Sequence, residues 1–306
     1  MSRTTADLLL LLAALIWGLA FVGQQTAMAY MGPLTFTGVR FLLAALVVAP
    51  LALREMRSDL PAIPANRRWP LIGIGAAFFL ASMLQQIGVM NTTVSNAGFL
   101  TALYVVMVPA IAWVIGKIMH DPEAAEQKAH VEIHAAIWPA AILSLIGAFL
   151  LGGGRLDGLN PGDWLVVGGA FFWALQMLGL GWLAFDLKRP LTISLIQYGV
   201  VAVLGIGAGL VLEAPTWAGI AAGWKELAYT GFVSGGLAFT LQTIAQAHTP
   251  PSDTAIIVSS EGLFAAAAGA LLLNERLSLT GWAGAACVLI AVIIVQLGPL
   301  LRRSRA

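Results

Sequence analysis

Charge is scarce in this sequence, because charged side chains account for 10% of its 306 residues and hydrophobic side chains for 59%. The formal net charge is +1, so the chain has neither the basic field that nucleic-acid binding requires nor an acidic tail. The mean hydropathy of +0.87 lies far outside the range of soluble domains. The composition therefore predicts an all-α membrane protein, with the lipid bilayer as its surroundings and no nucleic-acid partner.

Cysteine and histidine are also scarce. The single cysteine, Cys287, excludes an internal disulfide framework. His120, His130 and His134 fall in one polar loop, where solvated side chains are a better interpretation than a metal site. The apolar segments hold no Ser-His pair or metal-ligand cluster, and the chain has no G-x-x-x-x-G-K-[ST] motif. We therefore expect no metal, no cofactor, no enzymatic activity and no ATP hydrolysis by this chain.

Long apolar runs dominate what is present. A helix needs about 20 apolar residues to cross the hydrocarbon core of a bilayer. A charged stretch, 117–134, is predicted to be a polar loop. The sequence predicts ten transmembrane helices, at approximately 7–28, 34–53, 70–90, 95–117, 136–153, 163–184, 191–212, 225–247, 253–273 and 279–300.

Lysine and arginine are distributed unevenly between the two ends of these helices. With the N-terminus inside, the inner segments carry 12 of the basic residues, and the outer loops carry only Arg155, Lys225 and Arg276. Basic loops remain on the cytoplasmic side. The distribution predicts that both termini are cytoplasmic, in the inner membrane of a bacterial-type cell.

The chain also repeats itself. Trp17 precedes the triplet Pro33-Leu34-Thr35 by 16 residues, and Trp173 precedes the triplet Pro190-Leu191-Thr192 by 17. A similar offset, 157 residues, relates Gln85 to Gln242. The sequence therefore predicts two copies of one unit.

Five spans per copy is an odd number, so the second copy must enter the membrane from the opposite side. Such an inverted repeat allows two equivalent conformations, each open to one face, with a substrate site between the halves near the midplane. We expect a first five-helix unit at 1–154, which includes the polar loop, and a second at 155–306. One chain holds the complete repeat, so a monomer is sufficient, without excluding a homodimer.

Two ionisable residues lie within predicted helices, where burial of a charge is costly. Arg40 could bind a substrate carboxylate bidentately, or it could brace neighbouring helices by bonding their carbonyls. Glu261 lies near the middle of the ninth predicted helix and could bind a substrate ammonium group or exchange a proton. Its alternative role is a protonated acid in a hydrogen bond between helices.

Neutral polar residues give a weaker signal. Gln85 and Gln242 are repeat-related, and Ser82 shares a helix face with Gln85. They could line a substrate cavity or hold helices together by hydrogen bonds. Asp253 follows two prolines, and Ser252 or Asp253 is predicted to be the N-cap of the ninth helix.

Aromatic residues and methionine suggest the walls of such a cavity. Trp17 and Phe21 share one face of the first predicted helix, and Trp173 and Met177 share one face of the sixth. Tyr104 lies deep in the fourth helix, which Pro109 could kink. These five residues are candidates for binding a flat, partly apolar solute, although packed or lipid-facing aromatics are an equally ordinary interpretation.

Small residues indicate where helices could pack closely. Gly205 and Gly209 lie four residues apart on the seventh predicted helix, and Gly262 begins a similar series on the ninth. Both faces would let backbones approach one another. The glycine-rich segment 231–236 is predicted to bend.

Several local patterns together resemble an EamA-type member of the drug/metabolite transporter superfamily. They are Trp17-Gly18, the run from Pro33 to Arg40-Phe41, and Asn274-Glu275-Arg276-Leu277-Ser278 followed by Gly281. The resemblance implies ten helices, cytoplasmic termini and export of small metabolites, and it is strongest to the branch that exports amino acids, including aromatic ones. Glu261-Gly262 departs from the Glu-Pro frequent in the family.

Together, residues and resemblance predict a secondary transporter. It would export amino acids, possibly aromatic or other neutral ones, or related small metabolites by alternating access. A multidrug exporter of lipophilic cations, with Glu261 meeting the cation, is the alternative.

Overall fold

A computed structural model describes residues 1–92, 94–118, 135–154, 160–272 and 278–303. Regular structure in these ranges is helical, with no β-strand. Residues 119–134, which include His120, His130 and His134, and residues 273–277 of the family-like motif lie outside the described ranges. The helices are α1 Arg3–Ala27, α2 Pro33–Met56, α3 Ala65–Val89, α4 Val94–Thr101, α5 Tyr104–Ile118, α6 Ile137–Leu151, α7 Pro161–Leu187, α8 Pro190–Leu212, α9 Trp217–Ala222, α10 Trp224–Ala228, a π-helix Tyr229–Ala238, α11 Phe239–Gln246, α12 Pro251–Val258, α13 Glu261–Leu272 and α14 Leu279–Arg303.

Seven helical segments of the described chain are long and apolar enough to cross a membrane. They coincide with the predicted helices 1 to 4, 6, 7 and 10. The fourth segment, residues 97–116, includes parts of both α4 and α5. The fifth predicted helix corresponds to α6, which is apolar but shorter. The eighth corresponds to α10, the π-helix and α11 in succession, and the ninth corresponds to α12 and α13.

The outer surface of the bundle is apolar where a soluble protein would be polar. Leu46, Val203 and Val211 are 60%, 72% and 81% exposed. An exposed apolar surface of this kind is stable against lipid tails rather than water. The fold is therefore that of a multi-pass membrane protein.

Helices α2 and α8 begin in the same way, each with a proline as its first residue and a carboxylate that accepts hydrogen bonds from its first N–H groups. Pro33 and Pro190 are the first residues of α2 and α8, where a missing N–H leaves no lost hydrogen bond. Glu213 accepts hydrogen bonds from the backbone N–H groups of Leu34 and Thr35, each at 2.8 Å. In return, Glu55 accepts hydrogen bonds from the backbone N–H groups of Leu191 and Thr192. Each carboxylate comes from the end of one helix and caps the start of the other, so α2 and α8 are held together at both ends.

Helices α2 and α8 cross at a pair of glycines. A Cβ atom on Gly205 would lie 2.7 Å from the Cα atom of Gly38, and one on Gly38 would lie 2.4 Å from the backbone nitrogen of Ile206. The predicted close approach at Gly205 is confirmed, because only a glycine pair permits this separation. The same prediction for Gly262 is wrong, since a Cβ atom there would meet nothing within 4 Å.

This crossing gives a stability test within a single helix. Gly205→Ala forces the two backbones apart, and we expect it to lower the free energy of unfolding by about 1–3 kcal/mol. Gly207→Ala adds the same methyl group two residues away, where a Cβ atom would meet nothing within 4 Å, and should be neutral or slightly stabilising. Thermal unfolding in detergent measures both, and equal melting temperatures for the two variants would contradict the packing described here.

Candidate functional site

A cavity lies among α1, α2, α3, α7, α11 and the interrupted helix pairs α4–α5 and α12–α13. Its volume is about 50 Å³, enough for a few waters but too little for an amino acid. All ten residues that the sequence suggested for a substrate cavity line it, together with four others. The lining residues are Trp17, Phe21, Gln24, Arg40, Ser82, Gln85, Thr101, Tyr104, Trp173, Met177, Phe239, Gln242, Val258 and Glu261.

Two helices are interrupted where they line this cavity. The first break falls between α4 and α5, after Thr101, and the second falls between α12 and α13, after Val258. Tyr104 and Glu261 are consequently the first residues of α5 and α13, where the helix dipole is positive. The fourth helix therefore breaks at Ala102 and Leu103 rather than at Pro109.

Serine side chains compensate for the second break. The Ser259 hydroxyl donates to the Ile256 carbonyl at 2.6 Å, and the Ser260 hydroxyl donates to the Ile257 carbonyl at 2.7 Å. The Ser259 hydroxyl also lies 2.7 Å from that of Ser144 in α6. Non-helical backbone at membrane depth is stable only where other groups satisfy it or where it lines a cavity, and both conditions hold here.

Aromatic rings form one wall. The Trp173 and Phe239 rings are stacked, with centroids 5.7 Å apart and planes 8° apart. The centroids of the Trp17 and Phe78 rings lie 4.5 Å and 4.7 Å from the centroid of the Phe239 ring. The wall presents flat apolar surface to the cavity, as the aromatic pattern suggested.

Arg40 is engaged with the π-helix although it borders the cavity. Its Nε donates to the Thr230 carbonyl at 3.0 Å, and its Nη2 donates to the Ser234 hydroxyl at 2.8 Å. The Trp17 indole N–H donates to the Ser234 carbonyl at 3.2 Å. These are the contacts expected of a bracing arginine, and carboxylate binding by Arg40 stays a prediction.

Gln85 combines both roles considered for the glutamines, whereas Gln242 has only the first of them. Gln85 accepts from the Trp173 indole N–H at 2.6 Å, which ties α3 to α7. The Gln242 amide donates to Gln246, whose own amide donates to the Met177 carbonyl of α7. Both glutamines line the cavity, but only Gln85 joins two helices directly, because the bond from Gln242 to Gln246 lies within α11.

Two buried polar atoms bordering the cavity lack a hydrogen-bond partner among the described residues. They are the amide oxygen of Gln242 and the hydroxyl oxygen of Thr101. The Tyr104 hydroxyl interacts with the Glu261 carboxyl, which joins the starts of α5 and α13. Buried polar atoms are rarely left unpaired, so this group of acceptors and hydroxyls is suited to a ligand that donates hydrogen bonds.

An ion-pair network joins helices at the end of the bundle where α1 begins. Arg3 pairs with Asp7 at 3.2 Å and with Asp253 of α12, and Thr249 donates to Asp7 at 2.9 Å. The lining residues of α1 all lie in its C-terminal half, away from this network.

The prediction of Ser252 or Asp253 as an N-cap is wrong, because Pro250 occupies that position.

Most of the cavity lining falls into pairs at a nearly constant sequence offset. An offset of 157 residues pairs Tyr104 with Glu261, and the same offset carries the first helix break onto the second. Twelve of the fourteen lining residues form six such pairs at an offset of 156 or 157. The pairs are Trp17 with Trp173, Phe21 with Met177, Ser82 with Phe239, Gln85 with Gln242, Thr101 with Val258, and Tyr104 with Glu261.

Sequence reasoning did not select Gln24, Thr101, Phe239 and Val258 for the cavity. Thr101, Phe239 and Val258 are each related by 157 residues to another lining residue, so the repeat offset applied to the chosen candidates would have found Phe239. No group of His, Cys, Asp and Glu within the described ranges is arranged to hold a metal ion.

Membrane-spanning helices that break around a partly polar cavity are typical of multi-pass transporters. Comparison with known proteins agrees. The EamA-like transporter family matches residues 4–120 and 160–297, so the chain belongs to that family. It is 30% identical over 302 residues to an uncharacterized transporter of Archaeoglobus fulgidus, covering 96% of this chain and 87% of that one.

The fold is also found among solved structures. One crystal structure superposes on this chain with a TM-score of 0.74 and 15% identity, and all of both chains is covered. At that identity the similarity shows the fold alone.

Proposed function

We propose that this protein is an inner-membrane secondary transporter that exports amino acids or related small metabolites by alternating access. In this proposal ten helices form an inverted repeat of two five-helix units, 1–154 and 155–306, with both termini cytoplasmic. The short helix α6 and the interrupted segments 224–246 and 251–272 supply the three crossings beyond the seven long helices.

The observation that carries the proposal is the pairing of the cavity lining at a sequence offset of 156 or 157 residues. A cavity whose walls come equally from two copies lies on the axis that relates them, where inverted-repeat transporters bind substrate. The reciprocal caps on α2 and α8, from Glu213 and Glu55, support the same relation. So do the two matched segments of the family, one in each proposed unit.

The substrate class follows from the polar groups. Glu261 and the unpaired oxygens of Gln242 and Thr101 favour an ammonium group, which donates several hydrogen bonds. The positive N-terminal end of α5 favours a carboxylate. The aromatic wall accepts a flat or apolar side chain, so a neutral amino acid meets all three requirements.

In the present conformation the cavity has a volume of about 50 Å³, which must grow before an amino acid enters. The Arg3 network closes the end of the bundle where α1 begins, so this conformation approaches an outward-facing state when the N-terminus is cytoplasmic.

One contact favours the alternative, an exporter of lipophilic cations. Two donor groups of Arg40 are occupied by the π-helix, which leaves Glu261 as the charge that a solute meets among aromatic rings. A carboxylate framed by aromatic faces binds organic cations.

Uptake into proteoliposomes tests the proposal. Radiolabelled tryptophan, threonine and methionine are offered with and without an imposed pH gradient, and an organic dye cation is offered in parallel. We expect uptake of at least one amino acid above that of empty vesicles. Uptake of the cation alone would establish the alternative, and uptake of neither would remove the substrate proposal.

A further inference from the structure

A second concavity lies at the end of the bundle where α2 ends and α3 and α8 begin. This groove has a volume of about 500 Å³ and is distinct from the central cavity, sharing no residue with it. Its walls are apolar except for two arginines. The lining comprises Arg68 and Arg189 with Met56, Ala62, Ile63, Leu71, Ile72 and Ile196.

The two arginines are positive charges without a carboxylate partner. Arg189 is buried, and it donates to the carbonyl oxygens of Glu55 at 2.9 Å, Leu60 at 2.5 Å and Pro61 at 3.0 Å. Its Nε is buried and unpaired. Arg68 is exposed and forms no hydrogen bond or ion pair with any described residue. A charge that is not neutralised within the protein is available to an anion.

The surroundings add to this positive potential. Segments 54–68 and 186–189 contain six basic and three acidic residues. Of the acidic ones, Glu55 is committed to the α8 cap, and Asp186 pairs with Arg67 at 2.6 Å. The excess of basic residues makes this end of the bundle attractive to anionic surfaces.

The groove runs from the charged rim toward the bilayer interior. Ile72 lies four residues beyond Arg68 in α3, and Ile196 lies seven beyond Arg189, which correspond to depths of about 6 and 10 Å along the helices. Ile72 is 44% exposed on this path, and Trp69 beside Arg68 is 78% exposed, as expected for a residue at the membrane–water interface.

We propose that this groove binds an anionic phospholipid, with the phosphate held at Arg68 and an acyl chain lying along Leu71, Ile72 and Ile196. A charged rim above an apolar floor matches a molecule that has a phosphate at one end and a hydrocarbon tail at the other. A soluble anion would leave the apolar floor uncovered, and a zwitterionic lipid would bring a cation to a rim that is already positive.

The test compares lipid binding by the full-length protein in detergent. Native mass spectrometry measures the fraction that retains phosphatidylglycerol or phosphatidylcholine of the same chain length. We expect preferential retention of phosphatidylglycerol, and Arg68→Gln should weaken it about fivefold, the contribution of one basic residue near a membrane surface. Arg68→Lys should keep most of the binding. Arg57→Gln is the matched control, because it removes one exposed charge at the same end without lining the groove.

Three results would overturn the proposal. Equal retention of the two lipids would show that charge does not select the occupant. Equal losses in Arg68→Gln and Arg57→Gln would show a diffuse surface effect rather than a site. Displacement of phosphatidylglycerol by millimolar inorganic phosphate would show a site for free anions and not for a lipid.

Discussion

Glu261→Gln is expected to reduce amino-acid transport by about tenfold to a hundredfold without unfolding the protein. Losing a charged hydrogen bond to a bound ligand has an effect of this size. Glutamine keeps the shape and the hydrogen-bonding capacity of the side chain, so packing at the start of α13 should persist. Initial uptake rates in proteoliposomes, normalised to reconstituted protein, measure the effect.

The control is Asp59→Asn, which makes the same chemical change in an exposed loop between α2 and α3. It should transport at the wild-type rate. If Glu261→Gln abolished transport of an organic cation and left amino-acid uptake intact, the ammonium-binding role would be refuted and the cation exporter favoured. Full retention of both would remove Glu261 from the site.

Trp173→Ala is expected to raise the Michaelis constant for an aromatic amino acid by about tenfold. Its ring stacks on Phe239 and packs at 5.1 Å against Phe78, so its removal opens the aromatic wall. It also leaves the Gln85 oxygen without its indole donor. Trp173→Phe restores a ring but not the N–H group, and should give an intermediate value.

Trp164→Ala provides a matched control within α7, because Trp164 is 61% exposed and absent from the cavity. It should leave the Michaelis constant unchanged. If both tryptophan variants changed transport equally, their effect would arise from the stability of α7 and not from the cavity wall.

Much of this arrangement can be anticipated from hydropathy and the repeat. Polar interruptions of apolar runs selected Arg40, Gln85 and Glu261, because a membrane interior penalises such groups unless they face a cavity or a partner. The structure brings these residues to one cavity with the aromatic candidates. Their roles in binding substrate are still predictions.

The helix breaks were harder to anticipate. Neither Ala102-Leu103 nor Ser259-Ser260 contains proline or glycine, the usual signals of interruption. The offset of 157 residues relates the two breaks once one of them is known, since position 102 maps onto 259. The tertiary contacts that satisfy the second break, such as the one between Ser144 and Ser259, join residues 115 positions apart.

Partners distant in the sequence explain the other contacts that local sequence patterns did not predict. Asp253 has the sequence context of an N-cap but pairs with Arg3, 250 residues away. Glu55 and Glu213 lie more than 130 residues from the helix starts that they cap, so local sequence gives no sign of these contacts. Local pattern indicates roughly where helices begin, whereas these pairings depend on how distant helices pack.

Access to the cavity from both faces of the membrane is the central claim, and labelling of one cysteine tests it most directly. Ser82→Cys, nearly isosteric, places a thiol in the cavity lining, and Cys287→Ser removes the native one. A membrane-impermeant thiol reagent is applied to right-side-out and inside-out vesicles, with lipid-facing Leu46→Cys as the control. We predict that Ser82→Cys reacts from both sides and that saturating substrate slows both reactions. Reaction from one side only, with or without substrate, would contradict alternating access.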